Sequence, residues 1–269
     1  MTVDALVEAL ARAGCVAADD EAAELAEAAA GDKARLATLL QRRLAGEPLA
    51  WVTGRVDFGG LTLRIEPGVY VPRWQSLELV ERAARHLVAG GRAIDLCTGS
   101  GAVAAALAAR RSGAHIVATD SVPAAVACAR ANGVDALLGD LFEPVPSDWL
   151  GHTDVVVAVV PYVPTGALPL LPRDTLAFES ARHYDGGPDG TTWLCRVVAE
   201  ASPYLRPGGA LVLELGGEQA DAVGAAMERA GYSGIDVWSD AEGDVRGIEG
   251  TIIARRNDAD ADRPLRYPA

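Results

Sequence analysis

Ala93-Ile-Asp-Leu-Cys-Thr-Gly-Ser-Gly101, running on into Ala-Val-Ala-Ala-Ala-Leu-Ala-Ala-Arg110, reads as a strand, a turn of small residues and an alanine-rich helix in immediate succession. Gly99 and Gly101 lack a Cβ, so the backbone turns sharply there and a ligand is able to press against it. The helix beginning near Gly101 aims its unpaired N–H groups at that ligand. Asp95 stands at the strand's end, where a doubly wound α/β sheet places its ligand crevice. The order is acid-x-Cys-x-Gly-x-Gly, with Cys97 in the first glycine's place and Ala104 and Ala105 following in the helix. It therefore departs from the G-x-G-x-x-G that opens over a pyrophosphate.

Outward from this loop the chain alternates strand and helix. Strands are expected at 92–96, 115–119, 135–138, 154–159, 209–215 and 250–255, with a weaker one near 234–238. Helices are expected at 101–110, 122–131, 190–204 and 217–230. This is the pattern of an α/β fold, a Rossmann-like, mostly parallel seven-stranded sheet with right-handed crossovers. Upstream, Leu6, Leu10, Leu25, Leu36, Leu39, Leu40 and Leu44 recur at helical steps over residues 1–46, a small N-terminal helical cap of two or three short helices. Residues 47–72 read as a β-hairpin linker, Trp51–Phe58 and Leu61–Ile65 around Gly59-Gly60, and Ser76 as the N-cap of a helix to Val88. The α/β domain would span 73–256, and 257–269, polar with two prolines, a loose tail.

The 269 residues carry a formal net charge of −13, which repels phosphate backbones and argues against a nucleic-acid partner. Cys15, Cys97, Cys128 and Cys195 are scattered without a C-x-x-C pair, so neither a structural metal nor a disulfide frame is expected. No apolar run approaches the roughly 20 residues of a membrane helix, and the acidic start MTVDALVEAL is no signal peptide. A cytoplasmic protein is expected. Glu21, Glu24 and Glu27 read as a solvated helix face, His86, His115 and His152 as structural or solvent-facing, and His183 as a surface-loop residue, the alternative being a base that faces the pocket near neutral pH. Ser100 stands in no G-x-S-x-G elbow, so a hydrolase triad finds no support.

Asp120 ends the second strand, where an acid accepts the hydroxyls of a ribose, and Ser121-Val-Pro123 opens the next helix. Asp140 and Leu141 follow the third strand. Acids at three successive strand ends, without a pyrophosphate loop, favour an adenosine ligand that lacks pyrophosphate.

The loop at Asp95–Gly101 resembles the S-adenosylmethionine (SAM) loop of class I methyltransferases, E/D-x-G-x-G-x-G, with one position changed. Further stretches are similar to protein-glutamine methyltransferases of the HemK type, which modify the glutamine of peptide-chain release factors, with the nearest likeness to an actinobacterial branch of unassigned substrate. Val71-Pro-Arg73 with Gln75 and Ser76 resembles that family's I-P-R-P-E-T segment. Glu179 with Asp185-Gly-Gly-Pro-Asp-Gly190 resembles its E-P … G-G-x-D-G-L stretch, and Leu213-Glu-Leu-Gly216 its L-L-E-I-G strand. The resemblance implies SAM as cofactor, held by Asp95, Cys97, Thr98, Gly99, Gly101, Asp120, Ser121, Asp140, Leu141 and Arg73, with Asp140 on the adenine amino group and Leu141 flanking the ring.

One departure bears on the substrate. The family carries Asn-Pro-Pro-Tyr after its fourth strand, and the Asn side chain orients the substrate amide. This chain has Val159-Val160-Pro161-Tyr162. Valine has no hydrogen-bonding side chain, and an amide nitrogen is a poor nucleophile that needs positioning. Val159, Pro161 and Tyr162 are the candidate catalytic positions, and the expected acceptor is a small molecule or a protein side chain methylated on nitrogen. The alternatives are a release-factor-type glutamine methyltransferase and a non-catalytic SAM-binding protein acting through its N-terminal helices.

Overall fold

The computed structural model describes residues 2–171 and 173–253. Three helices come first: α1 (Val3–Arg12), α2 (Ala18–Ala29) and α3 (Lys33–Leu44). Asp32 caps α3, its Oδ1 accepting from the Ala34 and Arg35 N–H groups. Leu6, Leu10, Ala22, Leu25 and Leu39 close a core of their own, which Val52 joins. Glu21 and Glu27 are not simply solvated. They pair with Arg43 at 2.6 Å and with Arg55 across to the hairpin.

The linker differs from expectation at its start. Trp51–Thr53 belongs to a short helix, α4 (Leu49–Thr53), between Pro48 and a left-handed Gly54. Proline pre-sets a helix start and a left-handed glycine ends one, and here they override the strand preference of Trp-Val-Thr. The hairpin is β1 (Arg55–Phe58) with β2 (Leu61–Arg64), turning at Gly59-Gly60, both with positive φ.

Then follow α5 (Ser76–His86), β3 (Arg92–Leu96), α6 (Ala102–Arg110), β4 (His115–Asp120), α7 (Pro123–Ala131), β5 (Asp135–Leu138) and β6 (Thr153–Ala158). The chain ends with α8 (Arg173–Phe178), α9 (Thr192–Ala201), β7 (Leu205–Glu214), α10 (Ala220–Arg229), β8 (Tyr232–Ser239) and β9 (Val245–Ile252). The expected helix at 217–230 is a 3-10 turn, Gly217–Gln219, followed by α10. The weaker strand near 234–238 is a full strand, and the last strand runs 245–252 rather than 250–255. The expected tail, 257–269, lies outside the described residues.

The sheet order is β5-β4-β3-β6-β7-β9-β8, parallel through β7, with β9 antiparallel to both its neighbours. Alternation along each strand sends residues to opposite faces. Ile94, Val156 and Leu211 pack with α9 and α10, whereas Ala93, Val155, Val157 and Val212 pack with α5 and α6. With both faces covered, the central strands are apolar throughout. From β3 the chain steps outward to β4 and β5, then returns to β6 on the far side of β3. That reversal opens a crevice at the carboxyl ends of β3 and β6. Among the described residues no helix is long and apolar enough to cross a membrane.

Candidate functional site

A cavity of about 610 Å³ fills this crevice, within the range of about 300–1,000 Å³ for small-molecule sites. Its first half is walled by Cys97, Gly99, Thr119, Asp120, Ser121, Asp140 and Leu141, from the end of β4 and the loops after β3, β4 and β5. Its second half is walled by Val159, Val160, Pro161, Tyr162 and Glu214, from the ends of β6 and β7, and Tyr70, Arg73 and His183 close it from outside the sheet. The sequence-derived positions are thus brought together, except Asp95, Thr98 and Gly101, which stand behind the glycine loop rather than on the wall.

Asp95 is 1% exposed. Its Oδ2 accepts from Thr98 Oγ1 at 2.6 Å and from the Ala104 N–H at 3.2 Å, which ties strand, loop and helix α6 into one turn. Burial pushes its carboxyl up to about 7 against the pull of those two bonds. Asp120 bridges the same turn from the next strand. Its Oδ2 accepts from the Gly99 N–H at 2.9 Å, and its Oδ1 from the Val122 N–H at 2.9 Å. It is Asp120, rather than Ser121, that serves the start of α7, where Pro123 takes the first turn. Cys97 holds φ +55°, a left-handed conformation that costs a non-glycine residue on the order of 1 kcal/mol. Burial pushes its thiol well above the usual range. Leu141, buried, also has positive φ. Asp140 is exposed at the rim and pairs with Arg196 at 2.8 Å.

On the second half the decisive group is Glu214, 6% exposed, which ends the apolar run of β7. Its Oε2 accepts from Ser76 Oγ at 2.6 Å and its Oε1 from the Tyr162 hydroxyl at 3.1 Å. Ser76 is therefore not the N-cap of α5. It is the first helical residue, and its hydroxyl serves the carboxylate. Arg73 reaches Glu179 at 2.7 Å and the Tyr184 hydroxyl at 2.9 Å, with its guanidinium 5.4 Å from the Tyr70 ring centroid. His183 lies on the cavity wall instead of the outer surface, edge-on to Tyr70 at 6.2 Å, and burial lowers its pKa. His183 Nδ1 and Thr119 Oγ1 are buried and bond no protein group among the described residues.

Sequence reasoning gave Glu214 and Tyr70 no role of their own, read Ser76 as a helix cap, and left His183 between the surface and the pocket. Glu214 carried the same signal as Asp95 and Asp120, an acid ending an apolar strand. The other three are joined to the site by contacts far apart in sequence, which no local pattern announces. Among the described residues no cluster of three or more His, Cys, Asp or Glu is arranged to hold a metal ion.

A release factor glutamine methyltransferase of Moorella thermoacetica is 39% identical to this chain over 210 residues, 74% of this chain and 72% of that protein. One of Geobacter sulfurreducens is 34% identical over 220 residues, 80% of this chain and 76% of that protein. The crystal structure of a methyltransferase from Pyrococcus furiosus superposes with a TM-score of 0.54 at 18% identity, covering 82% of this chain and 98% of that one, a likeness of fold. No protein-family model matches the chain. With relatives this similar along this much of its length, the chain belongs to the release factor glutamine methyltransferase (HemK) family of class I SAM-dependent methyltransferases.

Proposed function

We propose that the protein methylates a nitrogen more nucleophilic than a carboxamide, on a small molecule or a protein side chain, with SAM bound over β3, β4 and β5. Bound SAM supplies a methyl group already activated on a sulfonium, so the protein's part is alignment and exclusion of water. The residues fit such a group. Asp120 has spent one bond on each oxygen and retains lone pairs for ribose hydroxyls. Thr119 Oγ1 is an unpartnered hydroxyl on the same wall. A Cβ on Gly99 would project towards Tyr70, 3.9 Å from its Cβ, into the gap between loop and covering segment. Asp95, Thr98 and Gly101 would hold the loop's shape from behind, while Cys97, Ser121, Leu141 and Arg73 complete the enclosure.

The observation that carries the acceptor class is Val159. It lies on the cavity wall with its side chain packed against Val157 and its neighbours, and offers no hydrogen bond to orient an amide. Pro161 and Tyr162 shape the wall beside it. A second reading, methylation of a release-factor glutamine, is favoured by the names of the curated relatives.

The test uses SAM with a labelled methyl group, offered to a peptide-chain release factor and, separately, to a panel of amines and basic proteins. Label in the amine or protein arm with an unlabelled release factor is the expected result. Label on the release-factor glutamine would overturn the preferred acceptor in favour of the second reading. Calorimetric titration with SAM accompanies it. Asp120→Ala should weaken binding at least tenfold, about 1.4 kcal/mol, and a folded wild-type protein that binds no SAM would sink both readings.

A further inference from the structure

Beside the wall that Val159 leaves apolar stands a buried carboxylate that makes no direct ion pair among the described residues. Ala158 of β6 pairs with Leu213 of β7, so one step further on Val159 and Glu214 stand level in the sheet. Val155, Val157, Ala210 and Val212 all face α5, and alternation carries Val159 and Glu214 to that same face. The contact with Ser76, the first residue of α5, agrees with this placement.

Glu214 accepts two hydrogen bonds from neutral hydroxyls, and among the described residues it makes no ion pair. Arg246, which lines the same cavity, favours the charged form of Glu214 through space but directs its bonds to Asp240 at 2.6 Å and to Asp244 at 3.4 Å. The other acids around the crevice are provided for. Asp140 has Arg196, Glu179 has Arg73, and Asp120 has two backbone N–H groups. A buried carboxylate lacking a cation is costly unless a ligand supplies one. Around it stand Tyr162 and Tyr70, aromatic rings of the kind that attract cations, as the Arg73 guanidinium over Tyr70 shows, and burial pushes the Tyr70 phenol up to about 12, so it stays a neutral ring.

We propose, resting on the nitrogen-directed methyl transfer set out above, that Glu214 with Tyr162 and Tyr70 forms the seat of the acceptor's amino group, and that the acceptor is a primary or secondary amine that arrives as its ammonium ion. The ion pairs with Glu214 and is then relieved of one proton. An N–H bond breaks, an O–H bond forms on a Glu214 oxygen, and the nitrogen keeps the electron pair that makes it a nucleophile. Burial, which raises the Glu214 carboxyl, suits it to take that proton. A carboxamide brings no positive charge and gains at most a hydrogen bond from Glu214, whereas an ammonium ion gains an ion pair as well, which separates the two acceptor classes by charge.

The measurement is ligand-observed NMR titration of the full chain with three probes of matched shape: phenethylamine, 2-phenylethanol and 3-phenylpropanamide. Each is run on the free chain and on the chain saturated with S-adenosylhomocysteine, which binds without turnover. Phenethylamine should bind about tenfold tighter than the alcohol and the amide, a difference of about 1.4 kcal/mol. Glu214→Gln, which keeps the shape and both hydroxyl partners, should erase that preference while retaining S-adenosylhomocysteine binding and a native melting profile. Equal affinity for the three probes on the wild-type chain, or a preference that survives Glu214→Gln, would overturn the proposal without recourse to the variant's stability. Failure to bind S-adenosylhomocysteine would instead count against the methyltransferase function, and the free-chain titration would still report on the amine seat.

Discussion

Asp95 holds the glycine loop together, and does so under an electrostatic penalty. Among the described residues the carboxyl is buried with no cation against it, and Thr98 Oγ1 and the Ala104 N–H are what favour its charged form. An unfolded aspartate gives up its proton near pH 3.9, whereas folded Asp95 keeps it up to about 7. Between those values the native state binds more protons than the unfolded state, so stability falls as pH rises through the window. The contribution is fully present below the unfolded value and is lost by the folded one. Asparagine at this position accepts the same two hydrogen bonds through Oδ1 and does not titrate. Asp95→Asn should therefore gain on the wild type progressively from about pH 4 to pH 7, by on the order of a few kcal/mol, one pKa unit being worth about 1.4 kcal/mol. Denaturant melts of both proteins across that range decide it, and parallel pH profiles would contradict the assignment. The comparison with the variant matters because other carboxyls also titrate: Glu27, Asp185, Asp189 and Asp240 are lowered and tilt the profile the other way, while Glu24, Asp120 and Glu214, raised by burial, tilt it the same way.

At the scale of elements, the junction of loop and helix depends on close packing of α6 against α7. Gly101 is the N-cap of α6 with φ +81°, and a Cβ there would lie 2.8 Å from Val134 Cγ2 and 3.0 Å from Ala129 Cβ. Neither neighbour is the free end of a flexible chain, so the backbone must move. Gly101→Ala should cost about 2–4 kcal/mol in a urea melt, combining overpacking with a left-handed alanine. A loss below about 0.5 kcal/mol, the range of an inconsequential surface change, would mean that the helices separate more easily than their packing implies. This junction was legible in the sequence because everything it needs is local: an acid, two glycines and an apolar helix within one short stretch. The α/β alternation was legible for the same reason, since period and punctuation are local properties. Helix α4 was not, because Trp51-Val52-Thr53 has strand composition and its helical state is fixed from a distance. The Trp51 Nε1–H donates to the Val69 carbonyl at 2.9 Å, and the side chain is buried beside Ile65 and Val71. The seat around Glu214 escaped for a related reason. Its partners come from residues 76 and 162, on a helix and on the segment after β6, and only the tertiary packing of both against the end of β7 brings them to one carboxylate.

Across the whole molecule the apolar interior is divided, and the division predicts how damage spreads. The N-terminal helices enclose a core around Leu6, Leu10 and Leu25, while Leu211 and Leu213 belong to the core between the sheet and helices α9 and α10. The link between the helices and the rest runs through Leu49 and Val52 of α4, with the pairs Arg42–Glu47 and Arg55–Glu27 beside them. Partly exposed ion pairs contribute little, about 0–1 kcal/mol each, so α4 carries most of the coupling. Leu25 and Leu211 are both fully buried, and replacing either with alanine should cost about 2–5 kcal/mol in its own core. The consequences should differ. Leu25→Ala should raise amide exchange over α1, α2 and α3 through local opening, and leave SAM affinity within about twofold, because the cavity walls begin only at Gly68. Leu211→Ala should lower the melting temperature of the sheet and loosen exchange in β6 and β7, weakening SAM binding together with the fold. Hydrogen exchange read by mass spectrometry on both variants distinguishes the cases. If Leu25→Ala loosens β3 and β6 as much as it loosens α2, the helices and the sheet open as one cooperative unit. The N-terminal helices would then be a structural support of the catalytic crevice, rather than an attachment free to vary beside it.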